Sequence, residues 1–219
     1  MPEATRLMSK DVLLRQGLSK DAEDFGRLML LSAPSLLPMV FGTNADGILK
    51  SLFNHKRNLY SFEHSRFIEV SGRSAGMVIS YDWKAQRQQR LRTGLLLLKY
   101  MKPRLITQLP ILFRVNSVLG KVGVNEYYIS NVAVYPEYRG LGFGAELLMR
   151  AEDEAKRAGA ERIVLDVEAN NQDAIKLYNR FKCVPVGKPR RIIIGGETYT
   201  FLRMSKVIPS NIRGDAITG

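Results

Sequence analysis

Apolar positions along the chain follow two periods, one close to 3.6 residues and one of two residues. The strongest helical pattern covers Phe143–Ala158, where apolar residues three or four positions apart form one face and Gly159 follows as a stop. A second amphipathic helix is predicted over Asn171–Phe181. Weaker patterns predict helices after Ser19, at Thr43–Tyr60, at Arg87–Met101 and at Leu105–Leu119, with interruptions at Pro34, Pro38, Pro103 and Pro110.

Two-residue alternation, with β-branched and aromatic residues, predicts the strands. They are expected at Val12–Leu18, Arg66–Val70, Gly76–Trp83, Glu126–Tyr135, Arg162–Glu168, Arg190–Ile194 and Thr198–Met204. Antiparallel hairpins come first and β-α-β units later, which predicts a single α/β (α+β) domain with a mixed, largely antiparallel twisted sheet and helices on both faces. We expect this domain to cover residues 1–206, with a helical insertion at 84–121 between the third and fourth strands and a C-terminal tail at 207–219.

The chain has a formal net charge of +12, and most of it lies in the insertion. No Asp or Glu occurs between Trp83 and Asn125, whereas this stretch contains nine Lys and Arg residues. Three interpretations stay open: a packed helical hairpin with a basic solvated face, a lid that favours an anionic acceptor or an acidic protein surface, and a contact with anionic lipid or RNA phosphate. Aromatic residues are sparse there, so nucleic acid is disfavoured as a partner.

The remaining composition excludes several classes of protein. Cys183 is the single cysteine, so an internal disulfide is excluded, and no Cys and His residues have metal-ligand spacing, so we expect no metal. The longest leucine run, Leu95–Leu98, ends at Lys99 and falls far short of the ~20 apolar residues of a membrane span. Met1–Lys20 has no apolar core of signal-peptide length. We therefore expect a soluble, cytoplasmic protein.

The segment between the strand at Glu126–Tyr135 and the helix at Phe143–Ala158 carries the candidate chemistry. It contains Arg139 and then three glycines at alternate positions, Gly140, Gly142 and Gly144. Such a loop directs successive backbone N–H groups outward at a helix N-terminus, which forms a cradle for an anion such as a pyrophosphate. The dinucleotide-binding fingerprint would be G-x-G-x-x-G near the start of a repeating βαβ series, and this loop has neither that spacing nor that position.

Two motifs resemble those of a known family. Arg139-x-x-Gly142-x-Gly144 resembles the R/Q-x-x-G-x-G/A signature of the GNAT superfamily of acetyl-CoA-dependent N-acyltransferases. Asn171-x-x-Ala174-Ile175-x-Leu177-Tyr178 is similar to its second motif, N-x-x-A-[IL]-x-L-Y. The resemblance extends over roughly Val12–Lys206. It departs where the family has a Gly-Phe pair and this chain has Lys182-Cys183, which predicts an altered helix end.

The resemblance implies acetyl-CoA as co-substrate, bound where two central strands part after Val134. Backbone groups of Val132 and Val134 would pair with the pantetheine arm, and Asn171 would hydrogen-bond it. Tyr178 would protonate the departing thiolate as general acid. Arg139 would bind a phosphate oxygen, and the pyrophosphate would be held by the amides of Gly140, Leu141, Gly142, Phe143, Gly144 and Ala145.

The general base is less well defined. The family often has a glutamate on the central strand, and Glu126 is the only acidic residue of that strand in this chain. Glu126 is therefore the candidate base, with a solvated strand end as the alternative interpretation. Ser130 and Asn131 could orient a water molecule, and Asp82 is a weaker candidate. His55 and His64 are expected on the surface, and Cys183 is expected to be buried and inert.

These expectations describe an N-acetyltransferase that moves an acetyl (acyl) group from acetyl-CoA to a primary amine, by direct attack in a ternary complex. A non-catalytic acyl-CoA-binding sensor or scaffold is an alternative, and a peripheral membrane or RNA-associated protein acting through the insertion is a more distant one. The acceptor is a small-molecule or protein amine, and polycations are disfavoured by the positive chain. Membrane contact through residues 84–121 and a homodimer formed through an exposed last strand are further expectations.

Overall fold

A computed structural model describes residues 11–101 and 105–209 of the chain. The strands within these residues form one sheet, in which only β4 and β5 are parallel neighbours and the other pairs are antiparallel. This arrangement confirms the predicted mixed, largely antiparallel sheet. The strands are β1 Val12–Gln16, β2 Ser65–Val70, β3 Arg73–Asp82, β4 Glu126–Val134, β5 Arg162–Glu168, β6 Val184–Pro185, β7 Arg190–Ile194 and β8 Glu197–Val207, in the spatial order β1-β2-β3-β4-β5-β8-β6 with β7 paired to β8.

Helices cover both faces of this sheet, and short 3-10 turns connect several of them. The α-helices are α1 Ala22–Ser32, α2 Leu36–Phe41, α3 Ala45–Phe53, α4 Trp83–Tyr100, α5 Leu105–Val118, α6 Phe143–Arg157 and α7 Gln172–Arg180. One hydrophobic core lies between the sheet and α6 and α7, where Leu147 and Leu148 meet Ile163 and Leu165. A second core lies between the opposite face and α1 to α4. The predicted coverage of both faces is therefore confirmed.

Three differences from the predicted elements have a clear physical cause, and the first two concern the end of an element. The helix predicted over Thr43–Tyr60 ends at Phe53, because the buried side chain of Asn58 donates to the carbonyl oxygens of Leu52 and His55 and folds the chain back. Trp83 begins a helix instead of ending a strand, since the side chain of Asp82 accepts from the amide of Ala85 and caps α4.

The third difference concerns Pro110, which was expected to interrupt a helix and instead lies inside α5. A proline in a helix removes one backbone hydrogen bond. Ile111, Val115 and Val118 pack against the apolar side chains of β7 and β8, and this contact holds the helix in place across the proline. The break predicted at Pro103 lies outside the described residues.

The last strand is not the exposed edge on which the homodimer expectation rested. β8 pairs with β5 along one side and with β6 and β7 along the other, so its backbone groups are already used. It also extends to Val207, past the predicted domain end at residue 206, and Ile208 beyond it is buried. Residues 210–219 of the predicted tail lie outside the described residues.

No single described helix is both long and apolar enough to cross a membrane. One pair of helical segments, Ser19–Ser32 and Leu36–Phe53, is together long and apolar enough by length and composition alone, and the two segments are bent by 111° relative to each other.

Candidate functional site

Two parallel strands part in the middle of the sheet. β4 pairs with β5 from Glu126 opposite Arg162 to Ile129 opposite Leu165, and the pairing stops there. On its other side β4 pairs with β3 as far as Val134, with a bulge in which Ser130 is the extra residue. The strands therefore part after Ile129, earlier than the expected position after Val134.

The backbone of β4 beyond this point directs hydrogen-bonding groups toward the opening, and one of them, the carbonyl of Val134, accepts from Arg139 Nε at 3.3 Å. Tyr135 donates from its amide to the carbonyl of Ala75 on the β3 side. Because successive residues of a strand point their N–H and C=O groups to opposite sides, Val132 and Val134 direct theirs away from β3. Both residues predicted to pair with a pantetheine arm thus line the unpaired edge of β4, which is suited to an added strand.

The glycine-rich loop lies at the start of α6. Gly142 is the N-cap residue with φ 88°, a left-handed conformation that costs little for glycine. The amide of Ala145 donates to the carbonyl of Gly142, so the predicted cradle has one amide already used. Within the described residues, the amides of Gly140, Leu141, Gly142, Phe143 and Gly144 donate no backbone hydrogen bond. Together with the exposed Arg139, these N–H groups form an anion site at a helix N-terminus.

The second motif packs directly against this loop. A Cβ atom added at Gly144 would lie 3.2 Å from Cδ2 of Leu177, so glycine allows α6 to approach α7 closely. Asn171 is the N-cap of α7, where its Oδ1 accepts from the amide of Ala174 at 3.1 Å. This cap uses the oxygen of Asn171 and leaves its Nδ2 donor for a ligand.

A cavity of about 1000 Å³ passes through the gap between the parted strands. Tyr178 lines it from the α7 side of the sheet, and Val132 and Asn171 lie at its wall. The opposite face contributes Ser130 and Asn131, and the side chain of Asn131 donates to Ser32 Oγ at 2.8 Å. Two reactants that enter from opposite faces of the sheet would meet in this gap.

Tyr178 is buried, and burial raises the pKa of its phenol well above the ordinary value. The hydroxyl therefore stays protonated and is a permanent hydrogen-bond donor. The helix end that follows is not altered as expected from Lys182-Cys183. Lys182 adopts φ 69°, the conformation that a glycine usually takes there, and Cys183 donates from its amide to the carbonyl of Tyr178 at 2.9 Å.

Two carboxylates of β5, Asp166 and Glu168, line the cavity and were not predicted from the sequence. Asp166 is nearly inaccessible and is held by ion pairs with Arg190 and Arg203 and by the hydroxyl of Tyr128. Glu168 has no such anchor among the described residues, and burial raises the pKa of its carboxyl group. The sequence did contain a signal for these two acids. They occupy alternate positions of one strand, which places them on the same face of the sheet, and they come shortly before the Asn171 motif.

Glu126, the predicted base, is not brought to this cavity. It lies at the paired end of β4, where its carboxylate accepts from the amide of Gly123 at 2.7 Å and pairs with Arg203 at 3.1 Å. Asp82, the weaker candidate, is occupied as the cap of α4.

The histidines and the cysteine have structural surroundings. His55 and His64 were expected to be exposed, but both are half-buried: His55 lies against Tyr100, and His64 Nε2 lies 2.8 Å from Gln89 Oε1. Burial lowers the pKa of His64. Cys183 is buried as predicted, and burial raises the pKa of its thiol to about 11. No group of three or more His, Cys, Asp or Glu residues with metal-binding geometry occurs in the described part of the chain.

The basic insertion forms two walls of the cavity. α4 contributes Arg90 and Leu97, and α5 contributes Leu112, Val115 and Asn116. Leu97, Leu112 and Val115 also join the second core, so the inner faces of both helices are packed on the domain. The interpretation of a packed hairpin is therefore correct for the inner faces, and the same helices border the cavity.

Sequence comparison agrees with this geometry. The model of the acetyltransferase (GNAT) family matches residues 57–182, more than half of the chain, so the chain belongs to this family. The chain is also 35% identical over 91 residues to the N-alpha-acetyltransferase RimI of Mycobacterium tuberculosis, a match that covers 41% of this chain and 56% of that protein. The curated relatives are thus matched over 28% to 56% of their own length.

Solved structures show the same fold. An N-acetyltransferase from Staphylococcus aureus superposes with a TM-score of 0.68 at 20% identity, over 89% of this chain and all of that one. YncA of Salmonella typhimurium, described as a putative acetyltransferase with its cofactor acetyl-CoA, superposes with a TM-score of 0.57 at 17% identity, over 94% and 98% of the two chains. The free amides of the glycine-rich loop and the open edge of β4 suit the two ends of such a molecule, its pyrophosphate and its pantetheine arm.

Proposed function

We propose that this protein transfers an acetyl group from acetyl-CoA to a primary amine while both are bound. The observation that carries the proposal is the cavity through the parted strands, in which Tyr178 on one side and Glu168 on the other line a single space. Family membership supports acetyl-CoA as the donor. Direct transfer is favoured because the one thiol of the chain, Cys183, is buried and burial raises its pKa, so it is a poor nucleophile for a covalent intermediate.

The binding steps follow from the backbone. The free amides of the glycine-rich loop bind the pyrophosphate, and Arg139 adds a charged donor. Val132 and Val134 exchange hydrogen bonds with the amides of the arm, and Asn171 Nδ2 donates to it. These contacts hold the thioester in the gap beside Tyr178. Bound acetyl-CoA supplies the electrophilic carbonyl and a thiolate leaving group.

Proton transfers are assigned to two side chains. The acceptor must lose a proton to attack, and the Glu168 carboxylate takes it, directly or through a water held by Ser130 and Asn131. Burial raises the pKa of the Glu168 carboxyl group, so this pKa is closer to the pKa of an amine than that of an ordinary carboxyl group is. Tyr178 donates a hydrogen bond and then its proton to the sulfur as the carbon–sulfur bond breaks, and solvent returns that proton to the phenol.

The acceptor that we propose is the α-amino group of a peptide. The relative from M. tuberculosis is named as an N-alpha-acetyltransferase, which supports this class of amine. The cavity has a volume of about 1000 Å³, and its wall on the acceptor side combines apolar side chains such as Leu112 and Val115 with neutral polar groups such as Asn116 and Ser117. Such a wall suits an extended peptide better than a polycation.

Thiol release with matched peptides tests the proposal. One peptide carries a free N-terminus and no lysine, and the other has the same sequence with a blocked N-terminus and one lysine. We expect turnover with the first and little with the second. Turnover only with the lysine peptide would reject the α-amine and keep the transferase. Tight binding of coenzyme A without turnover on any amine would favour the sensor instead.

A further inference from the structure

The outer faces of the two insertion helices expose large apolar side chains that the packing of the domain does not use. On α4, Leu91 is 75% exposed and Leu95 is 58% exposed, and Leu98 follows on the same stripe at helical spacing. On α5, Phe113 is 80% exposed and Leu109 lies one turn before it. Neighbouring residues of the same helices, such as Leu97 and Leu112, pack in the second core, so the outward residues are left for contacts outside the domain. We call Leu91, Leu95, Leu98, Leu109 and Phe113 the apolar ridge.

The charges beside this ridge are all positive. Lys84, Arg87, Arg92 and Lys99 lie on α4, and no Asp or Glu occurs between Trp83 and Asn125. Among the described residues, none of these four cations forms an ion pair. Elsewhere in the fold, Arg15, Arg66 and Arg203 each pair with a carboxylate. The insertion therefore presents uncompensated positive charge together with exposed leucine and phenylalanine.

Exposed apolar side chains together with unpaired positive charge favour one class of binding partner over the others. A second copy of the chain is disfavoured, because two such faces would bring like charges together. RNA gains little from exposed leucines and needs aromatic stacking, yet Tyr100 is half-buried with its hydroxyl 3.2 Å from His55, which leaves Phe113 as the exposed ring among the described residues of the insertion. An anionic lipid surface uses both features, since its headgroups attract Lys and Arg and its acyl region accepts leucine and phenylalanine.

We propose that the apolar ridge and its flanking cations dock the protein on an anionic lipid surface. Leu91, Leu95 and Phe113 would enter the boundary between headgroups and acyl chains, and Lys84, Arg87, Arg92 and Lys99 would lie at the phosphates. Arg90 and Asn116, which line the cavity, lie on the same two helices as Leu91 and Phe113, so the helices that dock are also walls of the cavity. The proposal does not depend on acetyl transfer, because it concerns only the outer faces of α4 and α5.

Cosedimentation of the full chain with vesicles tests this docking. We expect binding to vesicles of phosphatidylcholine with phosphatidylserine, little binding to phosphatidylcholine alone, and release at high salt because screening weakens the charge attraction. Leu91→Ser with Leu95→Ser should weaken the partition coefficient by roughly tenfold or more, since each leucine loses the transfer of its side chain. Lys84→Ala with Arg87→Ala should weaken it roughly fivefold for each charge removed.

Matched variants separate docking from general effects. Met149→Ser removes an apolar side chain that is 54% exposed on α6, and Arg157→Ala with Lys188→Ala removes two exposed charges outside the insertion. Both should bind vesicles as the unaltered chain does, and circular dichroism checks that every variant is folded. Equal binding to neutral and anionic vesicles, absence of binding to either, or insensitivity to the leucine substitutions would overturn the proposal. Salt-sensitive binding to RNA that persists in the leucine variant while vesicles are not bound would assign the surface to nucleic acid.

Discussion

Arg203 joins Glu126 to Asp166 across the sheet. Its Nη2 lies 3.1 Å from Glu126 Oε2, and its Nη1 lies 3.4 Å from Asp166 Oδ2. The carboxylate of Glu126 thus acts as an anchor for an arginine, at the end of β4 where the strands are still paired. Glu168 lies on the other side of the point where they part, in the cavity itself. The two glutamates should consequently respond differently to the same substitution.

Glu168→Gln should lower kcat/KM roughly 10²- to 10⁴-fold, because it removes the proposed proton acceptor. The carboxylate is the active form and its pKa is raised, so the rate of the unaltered enzyme should fall as pH falls through that raised pKa. This acid limb should be absent in Glu168→Gln. The matched Glu126→Gln should change kcat/KM only a few-fold. An acid limb that persists in Glu168→Gln and vanishes in Asp166→Asn would assign the base to Asp166.

Tyr178→Phe should lower kcat roughly a hundredfold or more and leave the KM for acetyl-CoA nearly unchanged, since the hydroxyl acts on the leaving sulfur and not on binding. Because burial raises the pKa of Tyr178, its ionisation should cause no loss of activity up to about pH 10. Tyr60→Phe is the matched control, because Tyr60 also lines the cavity and burial raises its pKa to about 12. Equal losses in both variants would contradict a specific role for Tyr178.

Local patterns predicted much of the fold because they are set by neighbouring residues. β5 at Arg162–Glu168 and β7 at Arg190–Ile194 have the predicted bounds. The bulge at Ser130 had no comparable signal, since it is defined only by the pairing of β4 with β3. The capped start of α4 was missed for a different reason: Asp82 could end a strand or cap a helix, and the tertiary packing decides between them.

The candidate site could likewise be predicted only where its residues are close together in the sequence. The glycine-rich loop and the Asn171 and Tyr178 motif are contiguous stretches, so their spacing is visible in the sequence. The hydrogen-bond network of Asp166 is not visible in the sequence, because Asp166 bonds to Arg190 and Arg203, which lie 24 and 37 positions further along the chain. The point at which β4 and β5 part depends on this long-range pairing too. That parting determines which carboxylates face the cavity, so the sequence alone could not show that Glu168 lines it and that Glu126 lies outside it.

Gly142→Ala should raise the KM for acetyl-CoA about tenfold or more, because φ 88° is strained for alanine and relaxation would turn the loop amides away from the phosphates. The strain itself costs roughly 1–2 kcal/mol of stability. Gly159→Ala places the same strain, at φ 71°, beyond the other end of α6. Its thermal stability should fall by a similar amount while the KM for acetyl-CoA stays unchanged. A KM that rises equally in both variants would mean that the loop acts through helix stability alone.

Asp166→Asn should lower the free energy of unfolding by roughly 1–3 kcal/mol, because Arg190 and Arg203 would lose the one carboxylate that they share. The loss should stay below that of a fully buried pair, since the side chain of Arg190 is 27% exposed.

Asp173→Asn is the matched control for this substitution, because Asp173 is almost fully exposed opposite Lys176 and its pair should contribute almost nothing. Urea denaturation of both variants, and of Arg190→Gln alone and combined with Asp166→Asn, measures the coupling. The combined loss should be smaller than the sum of the two single losses, because each single variant already breaks the pair. Strict additivity would show that Asp166 and Arg190 contribute independently, and Asp166 would then face the cavity without a fixed partner in Arg190.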